Sequence, residues 1–304
     1  AGVIQLVSWT TTISASLPPV PDLETLPVSA EVTDRTGQLL RPFTTSGGHW
    51  RLPVTRAGVD KRFIDMLIAY EDRGFAQHGG IAWNSMLRAA GQFALAGGRV
   101  VSGGSTLTMQ VARLIEGQPT RNAFGKLRQM IHAQQLEDSL SKDEILDLYL
   151  TLAPYGGNIE GIRAATLAYF GKEPTRLTTA EAALLVALPQ SPEARRPDRD
   201  PAAALASRNM VLDRLVSIGT IAEEEARAAK LEPIPTARKP FPMLAAHMAE
   251  QAVKARPGAR TVELTLDKRL QDALERLVEL LKAGAYVPKP RIATRPTLAS
   301  KKRR

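Results

Sequence analysis

The spacing of hydrophobic positions changes along the chain, and the changes outline its elements. Val28 to Thr33 and Gln38 to Thr44 read as strands around the turn Asp34-Arg35-Thr36-Gly37, which predicts a small hairpin leading to Trp50-Arg51-Leu52. From Val59 onward the pattern is helical. Trp83, Met86, Leu87, Ala90, Phe93 and Ala94 recur at helical spacing, as do Ile145, Leu146, Tyr149 and Leu152, and each set gives one apolar stripe. Such stripes belong to a core rather than to a cofactor box. Capping boxes of the form S/T-x-x-E at Ser141 to Glu144 and Thr178 to Glu181 predict two helix starts, and Pro201 heads a helix running towards Gly219. Near the end, Thr261 to Leu266 returns to strand character and Asp267 caps a helix through Leu281.

These shifts divide the chain into five parts. Residues 1–27 are an N-terminal segment whose LPPVPDLETLP stretch is a Pro-rich linker, unable to continue a helix or join a central strand. Residues 28–58 are the hairpin lead-in and 59–255 the main helical domain. Residues 256–281 look like the first elements of a further domain, and 282–304 form a basic, Pro-rich tail of disordered composition.

Composition narrows the function. A chain of 304 residues with 44% hydrophobic content can bury a sizeable core. A net charge of +9 ordinarily suggests a polyanion or an anionic membrane surface as partner. Eight basic residues and no acidic one lie between Lys282 and Arg304, however, so the body carries nine minus eight, close to neutral. That is a charged tail, not the footprint of a folded nucleic-acid reader. The absence of cysteine excludes disulfides, thiol catalysis and thiolate metal sites. No window reaches the roughly 18 apolar residues that cross a bilayer, and the opening AGVIQLVSWTTTISAS is short and interrupted by polar residues. The chain starts without methionine, so we expect a fragment whose anchor would lie in preceding residues.

The candidate chemistry lies between Tyr70 and Gly161. Glu71-Asp72-Arg73-Gly74-Phe75-Ala76-Gln77-His78-Gly79-Gly80 follows an apolar helix and places acids, a base, an imidazole and glycines at a helix end. Such a place suits a catalytic acid, and equally a capped, solvated terminus with an Asp–Arg pair. Ser102 to Gln110 is a glycine-rich turn feeding a helix, where free N–H groups and the helix dipole can hold an anion such as diphosphate. Arg113 lies further along that helix, and Lys126 and Arg128 add cations of the kind a diphosphate leaving group needs.

EDRGFAQHGG at 71–80, GGSTLTMQ at 103–110, KLRQMIHAQQLEDSLSKDEILDLYL at 126–150 and APYGGNIEGIRAA at 153–165 together resemble the ordered motifs of glycosyltransferase family 51. This is the peptidoglycan polymerase domain of class A penicillin-binding proteins, and the detail of SGGSTLTMQVARL and LAPYGGN is most similar to their 1C branch. The resemblance covers roughly residues 18–280. It implies a mainly α, lysozyme-like domain, here with a small N-terminal β-hairpin and a short mixed C-terminal segment, and a cleft for two lipid-linked substrates. It further implies that Glu71 is the general base on the acceptor sugar's 4-hydroxyl, that undecaprenyl diphosphate leaves with inversion, and that a β-1,4 glycan grows from lipid II. By motif position Asp72, Arg73, Phe75, His78, Ser105, Thr106, Gln110 and Lys142 join Arg113, Lys126 and Arg128 as cleft residues. For His78 a structural imidazole bonded across its own motif is the competing reading. A divalent cation, Mg or Mn, would sit at the diphosphate. The location implied is the periplasmic face of a bacterial inner membrane, in contact with lipid, with a separate transpeptidase as a possible partner.

By motif position Gln129 is the second catalytic residue, and there the sequence departs from the family, most of whose members carry a glutamate; it departs again at Thr151, where they usually carry asparagine. Ser139-Leu140-Ser141-Lys142 matches the S-x-x-K of a transpeptidase, but no K-T-G follows, so the match is fortuitous and no transpeptidase activity is expected. Two other functions compete. A lysozyme-like hydrolase or lytic transglycosylase would need two carboxylates about the scissile bond and has little use for an anion-binding turn. A non-catalytic scaffold is suggested by Gln129, and the complete first motif counts against it.

Overall fold

The computed structural model describes residues 13–83, 86, 104–117 and 122–283. Among them, ten α-helices and six short strands alternate in a mainly α fold. The hairpin forms as its pattern predicts: β1 (Glu31–Thr33) pairs antiparallel with β2 (Leu39–Pro42), with Glu31 opposite Pro42. Asp34 fixes the turn by accepting from the backbone N–H groups of Thr36 and Gln38, at 2.8 and 2.9 Å. β3 (Trp50–Arg51) does not extend this hairpin. It lies parallel to β5 (Ile159–Glu160), which in turn pairs antiparallel with β4 (Pro154–Gly156).

The helical body runs from α1 (Lys61–Glu71) through α2 (Leu107–Glu116), α3 (Ala123–Ser139), α4 (Lys142–Leu152), α5 (Ile162–Phe170) and α6 (Thr179–Ala187) to α7 (Pro201–Ser217) and α8 (Glu223–Leu231). Both capping boxes close as read: Ser141 and Thr178 accept from the N–H groups of Glu144 and Glu181, whose carboxylates reach back. Pro201 occupies the first turn of α7, behind the Asp200 cap. α6, with the sequence TAEAALLVA, is buried from Ala182 to Ala187 and packs on α1 and α7. α4 was expected to show one apolar stripe. Instead Ile145, Leu146, Leu148, Tyr149, Leu150 and Leu152 are all buried, because α2, α3 and α5 pack around it.

Two segments far apart in sequence meet. β6 (Thr261–Glu263) pairs in parallel with β1, Val262 opposite Val32, so residues of the C-terminal mixed segment complete the N-terminal sheet. Val32, Leu40, Val262 and Ala249 from α9 (Ala246–Ala255) form a small separate core there. The Pro-rich linker is docked rather than free: Leu17 is buried, and Val20, Leu23 and Leu26 pack against the main core. The final helix, α10 (Lys268–Lys282), buries none of its residues, and no described helix is long and apolar enough to cross a membrane. Of the expected stripe at 83–94, only Trp83 and Met86 are among the described residues. The tail beyond Ala283 and Gly103 of the glycine turn also lie outside them.

Candidate active site

Glu71 is the last residue of α1. Asp60 caps the start of that helix, and Phe63, Met66 and Leu67 bury its inner face, so the position of its far end is fixed. α2 starts beside it. Thr106 accepts from the N–H of Met109 and donates its own hydroxyl proton to the Gly80 carbonyl at 2.6 Å, which pins the end of the first motif to the start of the second. Gly80 has φ +83, and a Cβ there would lie 2.9 Å from the Ala133 carbonyl oxygen, so this close approach requires glycine.

From α2, Gln110 donates its amide Nε2 to Glu71 Oε2 at 2.8 Å. Gln190, on the turn after α6, donates Nε2 to Glu71 Oε1, also at 2.8 Å. Arg195 Nη1 in turn donates to Gln190 Oε1 at 2.9 Å and to the Ala187 carbonyl at 2.8 Å. The carboxylate thus lies between two neutral amides. Beneath it the hydroxyl of Tyr149 is buried without a hydrogen-bond partner among the described residues. Burial, with the Glu71 charge adding to it and Arg113 opposing it, holds that phenol well above its usual range.

The second group is cationic. Lys126, one turn into α3 behind the Asn122 cap, donates from Nζ to Ser105 Oγ at 2.6 Å and to Gln129 Oε1 at 3.0 Å. Gln129 is buried, and its Nε2 donates to the Met109 carbonyl. Burial, and then the charge of Arg113, push Lys126 down to about 8. Arg113 lies one turn beyond Gln110 on α2, exposed and in no ion pair among the described residues. Two cations without a facing carboxylate make a place for an anion.

The remaining motif residues brace this arrangement from behind. Asp72 is 7% exposed; its carboxylate accepts from the Leu107 N–H at 3.0 Å and contacts His78 Nε2 at 2.9 and 3.0 Å. His78 is therefore bonded across its own motif. Lys142 donates to the His78 carbonyl at 2.7 Å, pairs with Glu137 at 2.6 Å and lies over the buried ring of Phe75. Two candidates turn elsewhere. Arg73 donates to the Ile218 carbonyl at 3.0 Å, and Arg128 to Ser16 at 2.8 Å while facing Glu116. Thr151 bonds back to the Asp147 carbonyl within α4 at 2.8 Å.

Among the described residues the side chains do not by themselves form a ready-made cage for a divalent cation. Both polar atoms of Gln129 are engaged, Glu137 is held by Lys142 and Thr108, and no group of three acidic or histidine side chains among the described residues could hold a metal ion.

The sequence model of the transglycosylase family matches residues 37–216. The chain belongs to that family. It is 44% identical over 275 residues to penicillin-binding protein 1C of Escherichia coli, covering 90% of this chain and 35% of that protein. It is 36% identical over 224 residues to penicillin-binding protein 1A of Pseudomonas aeruginosa, covering 73% and 27%. The chain thus spans about a third of the length of these relatives. The crystal structure of penicillin-binding protein 1A from Haemophilus influenzae gives a TM-score of 0.40 at 22% identity, covering 83% of this chain and 28% of that one, a likeness too loose to bear on the site. Its mainly α fold agrees with the resemblance read from its motifs.

Sequence reading missed Gln190, Arg195 and the setting of Tyr149. Leu188-Pro189-Gln190-Ser191-Pro192 reads only as a break after an apolar helix. Gln190 meets Glu71 across 119 positions, a distance that periodicity cannot bridge.

Proposed function

We propose that this chain polymerises lipid II into β-1,4 glycan, with Glu71 as general base. The observation that carries the reading is the pairing of an amide-held carboxylate at the end of α1 with an unpaired cation group at α2 and α3. The acceptor's 4-hydroxyl gives its proton to Glu71 as its oxygen bonds the donor's anomeric carbon from the face opposite the leaving group. The bond from that carbon to the diphosphate oxygen breaks, and undecaprenyl diphosphate departs with the electron pair. Lys126 and Arg113 meet the charge that develops there.

A hydrolase is the weaker reading. Hydrolysis by the usual route needs a second carboxylate near the first. Among the described residues the groups on Glu71 are amides, and the neighbouring Asp72 is occupied by His78 and Leu107.

A lipid-linked substrate calls for work at a membrane surface, and we assign this chain to the periplasmic face of the inner membrane. Trp83 is 60% exposed at the edge of an apolar groove of about 450 Å³ that Leu127, Met130 and Ile131 also line. That surface suits lipid contact, with the basic tail adding attraction to anionic headgroups. Any cross-linking of the product would fall to a transpeptidase.

The deciding experiment incubates purified protein with lipid II and resolves the products by length; glycan chains support the reading, and short cleavage products from preformed glycan would replace it with the hydrolase. Sedimentation with liposomes checks the surface. Stronger binding to anionic than to neutral vesicles is expected, and equal binding would remove the tail from the account.

A further inference from the structure

Gln190 stands outside the four motifs, yet its amide touches the proposed base as closely as Gln110 does. The orientation of that amide follows from chemistry. Arginine carries donors only, so the atom facing Arg195 must be the carbonyl oxygen, and the NH₂ is thereby turned to Glu71. Arg195 is itself fixed by the Ala187 carbonyl at the end of α6, the buried helix that packs on α1. A rigid line therefore runs from the core through Arg195 and Gln190 to one oxygen of Glu71, while Gln110 holds the other from α2.

We infer that Gln190 is a positioning residue for Glu71, with Arg195 orienting it; the inference rests on the transferase reading above. One amide alone would leave the carboxylate free to rotate about its terminal torsion. Two donors, one on each oxygen, fix the plane of the group and leave the remaining lone pairs for the sugar hydroxyl. Both donors are uncharged, so they hold the base without pairing its charge. Gln190 is exposed and Arg195 half-buried, so truncating Gln190 removes little packing, and the effect should appear in catalysis rather than in folding.

The test measures kcat and KM for lipid II polymerisation by the wild-type chain, Gln190→Ala, Gln190→Glu, Arg195→Ala and the Arg195→Ala/Gln190→Ala double variant, with thermal unfolding of each as a control. Gln190→Ala should lower kcat roughly 10- to 100-fold, the scale of a misplaced reacting group, with KM little changed. Gln190→Glu keeps the size of the side chain and loses the donor, so it should do at least as badly. Arg195→Ala should cost less than Gln190→Ala, and the double variant no more than Gln190→Ala alone, because both act through one bond. Full kcat in Gln190→Glu, a loss confined to KM, or losses that multiply in the double variant would each overturn the inference while leaving the transferase reading in place. A wild-type chain that makes no polymer would remove that reading, and this inference with it.

Discussion

The two halves of the site are held in opposite ways. At the end of α1, Glu71 is fixed by two neutral amides and has no cationic partner among the described residues. On α2 and α3, Lys126 and Arg113 face no carboxylate among the described residues, and burial, with the charge of Arg113 added, lowers the affinity of Lys126 for its proton. The first arrangement fixes geometry and keeps the charge of the base available. The second gathers positive charge, which under the proposed function a diphosphate would relieve. Glycosyl transfer asks for both, a placed base where the proton leaves and an electrostatic sink where the anion forms.

The comparison breaks most sharply at Glu71. Glu71→Gln should reduce polymer formation about 10⁴-fold, the upper range for a general base, with the fold retained; glycan synthesis at the wild-type rate would show that the amide-held end is not where the proton goes. Next comes the cationic end. Lys126→Ala should cost on the order of 2.7–4 kcal/mol in the transition state, the size of a lost oxyanion donor, visible in kcat by single-turnover kinetics.

The pH profile sharpens the contrast further. Lys126 is held down to about 8 against an ordinary 10.5, so the free enzyme should lose activity as pH rises through about 8, and Lys126→Arg should shift that limb to higher pH. The stability effect has the opposite sign. Between about 8 and 10.5 the unfolded chain keeps the proton that the folded chain has released, so this group's contribution to unfolding free energy should rise with pH across that window, measurable by denaturant titration. The smallest effect is expected at Gln129. Gln129→Glu keeps the acceptor for Lys126 but turns an oxygen towards the Met109 carbonyl, so stability should fall by about 1–3 kcal/mol while the rate changes modestly. A rise of roughly a hundredfold that appears only with added Mg or Mn would mean that the site is a weakened metal site instead.

Much of the fold was legible because it is local. The two capping boxes, the turn at Asp34 and the Asp267 cap are each written within a few residues, and each forms as read. Glu71, Gln110 and Lys126 were legible through their motifs, and the structure brings each to its end of the site. The limit shows at Asp72, His78 and Lys142, which the motifs placed in the cleft. Their polar atoms instead tie the first motif to α2 and α3, since residue type does not reveal whether a polar group faces substrate or scaffold. Gln190 and the pairing of β6 with β1 were invisible for one reason: both join segments far apart in sequence, and nothing in either segment names its partner.

That pairing of β1 with β6 also sets the order in which the molecule can be made. Glu31 and Thr261, bonded to each other at 3.1 Å, are 230 positions apart. At about 5–20 residues per second, the ribosome delivers the second strand on the order of ten to fifty seconds after the first. Throughout that interval β1 and β2 present an open edge, and the small core around Val32 lacks Val262. The helical body, whose contacts fall within shorter spans, can fold meanwhile and bring the two strands together. The clasp can close only at the end, and a ribosome stalled before Thr261 would leave β1 as an unpaired strand edge beside an incomplete small core.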